Sequence, residues 1–314
     1  MSKILISGAY GFIGSNISKY LASGDKYKLS ALDIKYCDDP NYIEYLRWDE
    51  ISKISSGNYD VIIHLAGKAH DTENKSKSQE YFDVNLGLTR LIFDQFLLSD
   101  SRIFIFFSSV KAVADSVKDD FLTEDAIPEP LTPYGQSKLA AENYILSKKL
   151  PSGKYVYILR PAMIHGPGNK GNLNLLYKFV KRDIPYPLGL FNNQRSFTSI
   201  GNINFIIENL IEKKIDSGIY NVADSGSLST IDIIKLISAS LEKKPKIWNV
   251  SVPIVRFTAK VFGILGFPIN SETLKKLTET YLVSNRKIIS ALKTELPYSA
   301  YSGLEFSLKS FSKK

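Results

Sequence analysis

Short, mostly apolar runs recur along the chain at 3–7 (KILIS), 28–32 (KLSAL), 60–66 (DVIIHLA), 102–107 (RIFIFF), 155–159 (YVYIL) and 219–222 (IYNV). They lack the strict alternation of a half-solvated strand, so they predict strands buried on both faces. Between them, 79–98, 133–148 and 203–213 repeat apolar residues at helical spacing. Alternating strands and helices of this kind predict an α/β fold, a parallel sheet covered on both faces. Past Arg160-Pro161 the alternation loosens, and Gly and Pro cluster at Gly166-Pro167-Gly168 and Ile184-Pro185-Tyr186-Pro187. The expected division is a sheet domain over 1–165, to which 201–225 returns, and a smaller lobe from 166–200 and 226–314. No internal repeat or low-complexity linker interrupts it.

The first predicted strand runs into Gly8-Ala9-Tyr10-Gly11-Phe12-Ile13-Gly14 and then a helical stretch over 15–22. Strand, glycine turn and helix form the context of a dinucleotide site. Gly8 permits the tight turn, Gly11 lets backbone N–H groups approach a pyrophosphate, and Gly14 lets helix pack on strand. The spacing is GxxGxxG, a variant of the usual GxGxxG. The second strand ends at Asp33, whose carboxylate suits the adenosine ribose hydroxyls and repels a 2′-phosphate, which favours NAD over NADP. Lys35, two residues on, weakens that preference.

Residues 132–138 read T-P-Y-G-Q-S-K. Thr132 suits an N-cap and Pro133 a first helical position, which puts Tyr134 in the first turn. Lys138 lies one turn on, on the same face. The helix dipole and the ammonium are both expected to lower the phenol's pKa from about 10. A phenol so tuned exchanges protons with a sugar or alcohol hydroxyl.

Composition narrows the setting. Apolar residues make up 44% and charged residues 23%, ordinary for a globular protein. The single cysteine, Cys37, allows neither an internal disulfide nor a cysteine metal cluster. A reducing, cytoplasmic setting is therefore expected. His64, His70 and His165 lack ligand spacing, so structural roles and no metal are expected. No leader is expected ahead of a strand that starts almost at once, and no apolar run reaches the ~18 residues of a spanning helix. The net charge of +8 is spread out, which fits a groove for an anionic nucleotide better than nucleic acid. The apolar stretch 255–269 carries Arg256 and Lys260. It is expected to pack on the lobe, with contact to a membrane surface as the alternative.

Several segments together carry a resemblance: GAYGFIGSN (8–16), HLAG (64–67), VNLGLTR (84–90), FSSVKA (107–112), YGQSK (134–138), LRPAMIHGPG (159–168), GNLNLL (171–176) and QRSFTSIGN (194–202). The chain resembles the extended short-chain dehydrogenase/reductases, in their nucleotide-sugar epimerase/dehydratase branch, nearly end to end. The resemblance implies a Rossmann-type doubly wound parallel sheet with a smaller C-terminal substrate-binding lobe. It implies Tyr134 as catalytic acid/base, Lys138 as its partner and a ribose ligand, and Ser109 as the residue that orients the reacting hydroxyl. For NAD it implies Gly8, Tyr10, Gly11, Phe12, Ile13, Gly14, Asp33, Asp49, Leu65, Ala66, Gly67, Asn85, Ser108, Arg160 and Pro161, together with Tyr134 and Lys138. For the nucleotide sugar it implies Asn172 and Arg195, the latter a guanidinium suited to phosphates. Lys111 is placed at a substrate phosphate or the pocket rim.

Dehydratases of this branch resemble one another in an Asp-Glu pair after the active-site Ser/Thr. Here Val110-Lys111 stands in its place, so 4,6-dehydration is disfavoured. The pattern looks most like a bacterial polysaccharide subgroup. The leading expectation is a 4-epimerase of UDP-hexoses or UDP-N-acetylhexosamines, working through a transient 4-keto sugar with tightly held NAD. An NAD(P)H-dependent reductase of a UDP-4-keto-6-deoxy-N-acetylhexosamine would use the same triad. A non-catalytic dinucleotide sensor is disfavoured by the intact tyrosine-lysine pair, and a lipid-linked sugar is the remaining alternative. The resemblance also implies a homodimer through helices near 79–98 and 133–148. Neither nucleic acid nor stable membrane insertion is expected.

Overall fold

The computed structural model describes residues 1–68, 77–169, 172–264 and 271–311. His70 and residues 265–269 of the apolar C-terminal stretch therefore lie outside the described residues. The central sheet holds β1 (Ser2–Ser7), β2 (Tyr27–Leu32), β3 (Glu44–Leu46), β4 (Val61–His64), β5 (Ile103–Phe107) and β6 (Tyr155–Pro161). After the pair β7 (Met163–His165) and β8 (Phe197–Ser199), β9 (Gly218–Val222) completes it. Its strand order is β3-β2-β1-β4-β5-β6-β9, every neighbouring pair parallel. This is the parallel sheet that the alternation predicts, in the doubly wound order that the resemblance implies. The helices are α1 (Phe12–Leu21), α2 (Ser78–Tyr81), α3 (Leu88–Leu98), α4 (Pro133–Leu146), α5 (Asn172–Lys181) and α6 (Ile200–Lys213). Then come α7 (Thr230–Ser240), α8 (Val252–Ile264), α9 (Ser271–Thr278), α10 (Arg286–Leu292) and α11 (Ala300–Phe311).

Alternate side chains of each strand feed two cores. Ile4, Ile6, Ile63, Ile105 and Leu159 pack under Ile17 of α1, Ile206 and Leu210 of α6 and Ile288 of α10. On the other face Leu5, Ile62, Phe104, Phe106 and Ile158 pack under Ile92, Phe93 and Phe96 of α3 and Ile145 of α4. With both faces covered, β4 and β5 are buried at every position, which is why they read as uninterrupted apolar runs. A third core joins Leu173, Tyr177, Ile234, Ile237, Val255, Ala259, Leu304 and Leu308 of the later helices. Residues 286–296, within the stretch expected to form the lobe, instead send Ile288, Leu292 and Leu296 into the sheet's core.

Three local features escape the apolar pattern. The helix expected over 79–98 is broken by a π-helical turn, Phe82–Gly87, between α2 and α3. Such turns mark functional sites more often than chance, and this one holds Asn85 fully buried. The first helix starts at Phe12, ahead of the expected residue 15, because Gly11 in extended conformation serves as its N-cap. The edge strand β3 spans only Glu44–Leu46, too short for a periodic signal.

Candidate active site

The carboxyl ends of β1, β2, β4 and β5 converge on one edge of the sheet, where ligands of such folds bind. At the end of β1, Gly8 adopts φ +70°, and a Cβ there would stand 2.8 Å from the Ala66 nitrogen. A Cβ on Gly14 would stand 2.4 Å from the Gly8 oxygen, so helix α1 sits directly on the turn. The α1 N-cap, Gly11, supplies no side-chain acceptor. The leading N–H groups and the positive dipole end thus face the sheet's ligand edge without a side-chain cap.

Asp33, just after β2, accepts the Tyr10 N–H at 3.0 Å and the Ile34 N–H at 2.7 Å. An ionised carboxylate has about four lone-pair sites, so it can still accept ribose hydroxyls. Tyr45 donates to the Asp33 carbonyl at 3.0 Å and Tyr42 to the Ala9 carbonyl at 3.1 Å; both rings pack on Tyr10. Phe12 lies 3.7 Å from where a Cβ of Gly166 would stand. Asn16 donates to the Pro167 carbonyl at 3.0 Å, strapping that loop across α1. Ile13 packs against the sheet core. Asp49 is exposed in the 3-10 turn after β3, 3.4 Å from the Arg47 guanidinium. An uncapped helix N-terminus for a pyrophosphate, beside a carboxylate for hydroxyls, fits an NAD-type dinucleotide.

Beyond β4, the Leu65 N–H donates to the Ser7 carbonyl at 3.0 Å. A Cβ on Gly67 would meet the Asn85 side-chain oxygen Oδ1 at 2.8 Å and the Lys138 ammonium at 3.1 Å. Asn85 accepts the Lys68 N–H at 2.8 Å and donates to Ser137 at 2.8 Å and to the Lys68 carbonyl at 3.2 Å. Its side chain therefore fixes the loop that bears Gly67. His64 is buried between Ser7 (2.6 Å) and Thr89 (3.0 Å), and burial lowers its pKa to about 3. His165 is likewise buried, bonded to Ser307 at 2.8 Å and 3.4 Å from Asp224. Among the described residues no cluster of His, Cys, Asp and Glu has the makings of a metal site.

Helix α4 begins as its sequence dictates. Thr132 caps it by accepting the Gly135 N–H at 3.2 Å, and Pro133 holds the first position. The Tyr134 hydroxyl hydrogen-bonds Ser109. The Lys138 ammonium, 5% exposed, donates to the Phe107 carbonyl at 2.9 Å. One expectation is corrected here. Burial is the largest influence on Tyr134 and raises its pKa; the Ser109 bond only partly opposes it, and Lys138 does not enter. The ammonium spends its hydrogen bond on Phe107, and burial lowers its own pKa to about 8, with Glu142 pulling the other way.

Glu142, a further turn along α4, lies beneath the pair. It accepts a short hydrogen bond from Ser108 and a bidentate ion pair from Arg160 at 2.9 and 2.6 Å. Arg160 at the end of β6 is 2% exposed. Its side chain, like that of Ser108, braces Glu142, leaving the backbone through Pro161 at the sheet edge. Sequence reasoning passed over Glu142, though its spacing from Tyr134 and Lys138, on the same helical face, was there to be seen.

The Ser109 hydroxyl caps the 3-10 turn Val110–Ala112, accepting the Lys111 N–H at 3.1 Å. The Lys111 ammonium donates to the Asp115 carbonyl at 2.9 Å and lies 4.2 Å from the centre of the Tyr281 ring. Tyr281 donates to the Ala114 carbonyl at 2.8 Å. It also bridges to Arg195, whose guanidinium donates to the Glu279 carbonyl at 3.3 Å. The structure thus joins Ser109, Lys111, Tyr281 and Arg195 in one run of contacts, and no local signal marked Tyr281. Asn172 opens α5, but its side chain lies outside the described residues.

The profile of the NAD dependent epimerase/dehydratase family matches residues 4–223. The chain belongs to this family. Like its other members, this epimerase/dehydratase-family protein is an NAD-dependent enzyme. It is 28% identical to the UDP-glucose 4-epimerase of Vibrio cholerae, over 98% of this chain and 95% of that one. It is 25% identical to the N-acetyl-alpha-D-glucosaminyl-diphospho-ditrans,octacis-undecaprenol 4-epimerase of Escherichia coli O157:H7, covering 98% and 94%. Its fold matches that of a UDP-glucuronic acid 4-epimerase from Bacillus cereus in complex with UDP-glucuronic acid and NAD. The TM-score is 0.76, with 22% identity and 99% of each chain covered.

Proposed function

We propose that this enzyme is a 4-epimerase of UDP-hexoses or UDP-N-acetylhexosamines. The observation that carries the reading is a continuous path of contacts. It runs from the pyrophosphate turn at Gly8, through Ala66 and Gly67, to Lys138, with Tyr134 and Ser109 on the same sheet edge. When bound, NAD supplies the acceptor, and then the donor, of hydride at the sugar's C4. Acting as phenolate, the Tyr134 oxygen takes the C4 hydroxyl proton as that hydride leaves, and returns it when the hydride arrives on the opposite face of the turned 4-keto sugar. Ser109 holds the reacting oxygen beside the phenol. Lys138 places positive charge under the same pocket, and Asn85 fixes the loop between them. Gly8, Gly11 and the α1 N-terminus hold the pyrophosphate, with Asp33 on the ribose. Arg195 takes the UDP phosphates, and Asn172 is the second contact there. The lobe, without residues 286–296, encloses the nucleotide sugar.

Two features favour epimerisation over dehydration. Val110 and Lys111 follow Ser109 where an acid pair would be needed, and the relatives at 28% and 25% identity are named as 4-epimerases. A homodimer through α3 and α4 is supported by Leu91, Leu98 and Leu146, large side chains left exposed on them. A cytoplasmic place in surface-polysaccharide synthesis is the setting this chemistry suits. The test is incubation of the purified protein with UDP-GalNAc and no added cofactor. Interconversion with UDP-GlcNAc supports the epimerase. Turnover confined to a 4-keto sugar, consuming NADH or NADPH, makes the protein a reductase instead.

A further inference from the structure

Helix α8 presents two unlike faces. Val255 and Ala259 are buried in the third core. On the outward side Ile254 is 56% exposed and Phe257 68% exposed, with Arg256 and Lys260 also exposed around them. Trp248, shortly before the helix, is exposed as well. Its backbone is anchored by hydrogen bonds with Tyr186 at 2.8 Å and Gly189 at 3.0 Å, between isolated bridges at Ile247 and Asn249. Thr258, also exposed, turns its hydroxyl back onto the Val255 carbonyl at 2.9 Å. The outward face of the helix therefore carries apolar tips, a hydroxyl satisfied internally, and cations.

The segment around this helix is locally basic. From Lys243 to Ile264 the chain carries Lys243, Lys244, Lys246, Arg256 and Lys260 and no Asp or Glu. Asp183 offsets Lys243 at 3.1 Å and Lys246 at 3.7 Å. Among the described residues Lys244, Arg256 and Lys260 form no ion pair. Apolar tips among unneutralised cations are the pattern of a helix lying in a membrane interface. Trp is favoured at the headgroup level, and basic residues are drawn to anionic lipid. A second copy of the chain is a poor occupant. A symmetric contact would bring this patch against itself and gather the Arg256 and Lys260 charges of both copies in one interface. Among the described residues no helix is long and apolar enough to cross a membrane.

We infer that the outward face of α8, with Trp248, docks this enzyme reversibly on an anionic lipid surface. The docking does not depend on which sugar is turned over. The test is flotation of the full chain with vesicles of phosphatidylcholine alone, or with about one-third phosphatidylglycerol. The protein should float with the anionic vesicles only, and salt near 1 M, where screening acts within about 3 Å, should release it. Ile254→Ser with Phe257→Ser, and separately Arg256→Gln with Lys260→Gln, should each cut the bound fraction by at least about tenfold. All four side chains are exposed, so the melting temperature and the turnover of a soluble sugar nucleotide should stay unchanged. Failure to float with anionic vesicles would overturn the inference. So would equal binding to neutral vesicles, or wild-type binding by both double variants. Conversion of a dimer to monomer by the serine pair, read by sedimentation, would assign the face to a second copy instead.

Discussion

Replacing Lys138 by Met should stabilise the fold while abolishing turnover. The ammonium is 5% exposed, and burial lowers its pKa from 10.5 to about 8. At one pKa unit per 1.36 kcal/mol, holding it charged near pH 7 costs the fold about 3 kcal/mol. Met fills the same space without the charge. Against this gain stands the lost bond to the Phe107 carbonyl at 2.9 Å, worth about 1–2 kcal/mol when the acceptor stays buried. Glu142 keeps Arg160 and Ser108. The variant should thus be more stable by about 1–2 kcal/mol near pH 7. The sign of the pH dependence follows from a folded-state pKa below the unfolded one. Wild type bears the full cost below about 8 and sheds it as pH rises toward 10.5, so the variant's advantage should vanish and then reverse across that window. Urea unfolding of nucleotide-stripped protein at several pH values measures it without ligand linkage. A variant less stable near pH 7, or a gap flat with pH, would refute the reasoning.

Glu142→Gln strips the buried Arg160 of its counter-charge and should cost about 3–5 kcal/mol in urea unfolding. It should also move the Lys138 bend in the pH–rate profile below about 8, since Glu142 now pulls it upward; a bend left in place breaks that link. His64 stays neutral when folded, with its pKa lowered from 6.5 to about 3. Wild type should therefore lose up to about 1.4 kcal/mol per pH unit as pH falls below 6.5. His64→Asn should remove that slope between about pH 6.5 and 5, above the carboxylate range; identical slopes would count against it. Tyr281→Leu frees the Lys111 turn and should raise KM several-fold with a smaller change in kcat, as expected when uniform binding is lost. The reverse pattern would place Tyr281 in the chemical step.

The sheet was legible because residues buried on both faces leave continuous apolar runs, as in Val61–His64 and Ile103–Phe107. The start of α4 was legible too, since Thr132 and Pro133 act within a few residues of themselves. What the sequence hid is nonlocal. Tyr281 reaches the Ser109 turn across a sequence separation of 167 residues to Ala114, and no periodicity reports such a contact. The π-helical turn at Asn85 depends on bonds to Lys68 and Ser137 that spacing does not encode. The direction of the Tyr134 shift failed for a related reason. A dipole and a lysine can be read from a helix, but the burial that raises this pKa belongs to the assembled fold.

Hydride leaving and rejoining one sugar carbon, with Tyr134 managing the proton, is the core of the proposed epimerisation. UDP-GlcNAc labelled with deuterium at C4, incubated in ordinary water with the purified enzyme alone, tests this most directly. The epimerised product should retain the label, and Tyr134→Phe should give no product. Label lost to solvent, or an epimer formed at near-normal rate by the phenylalanine variant, would contradict that mechanism.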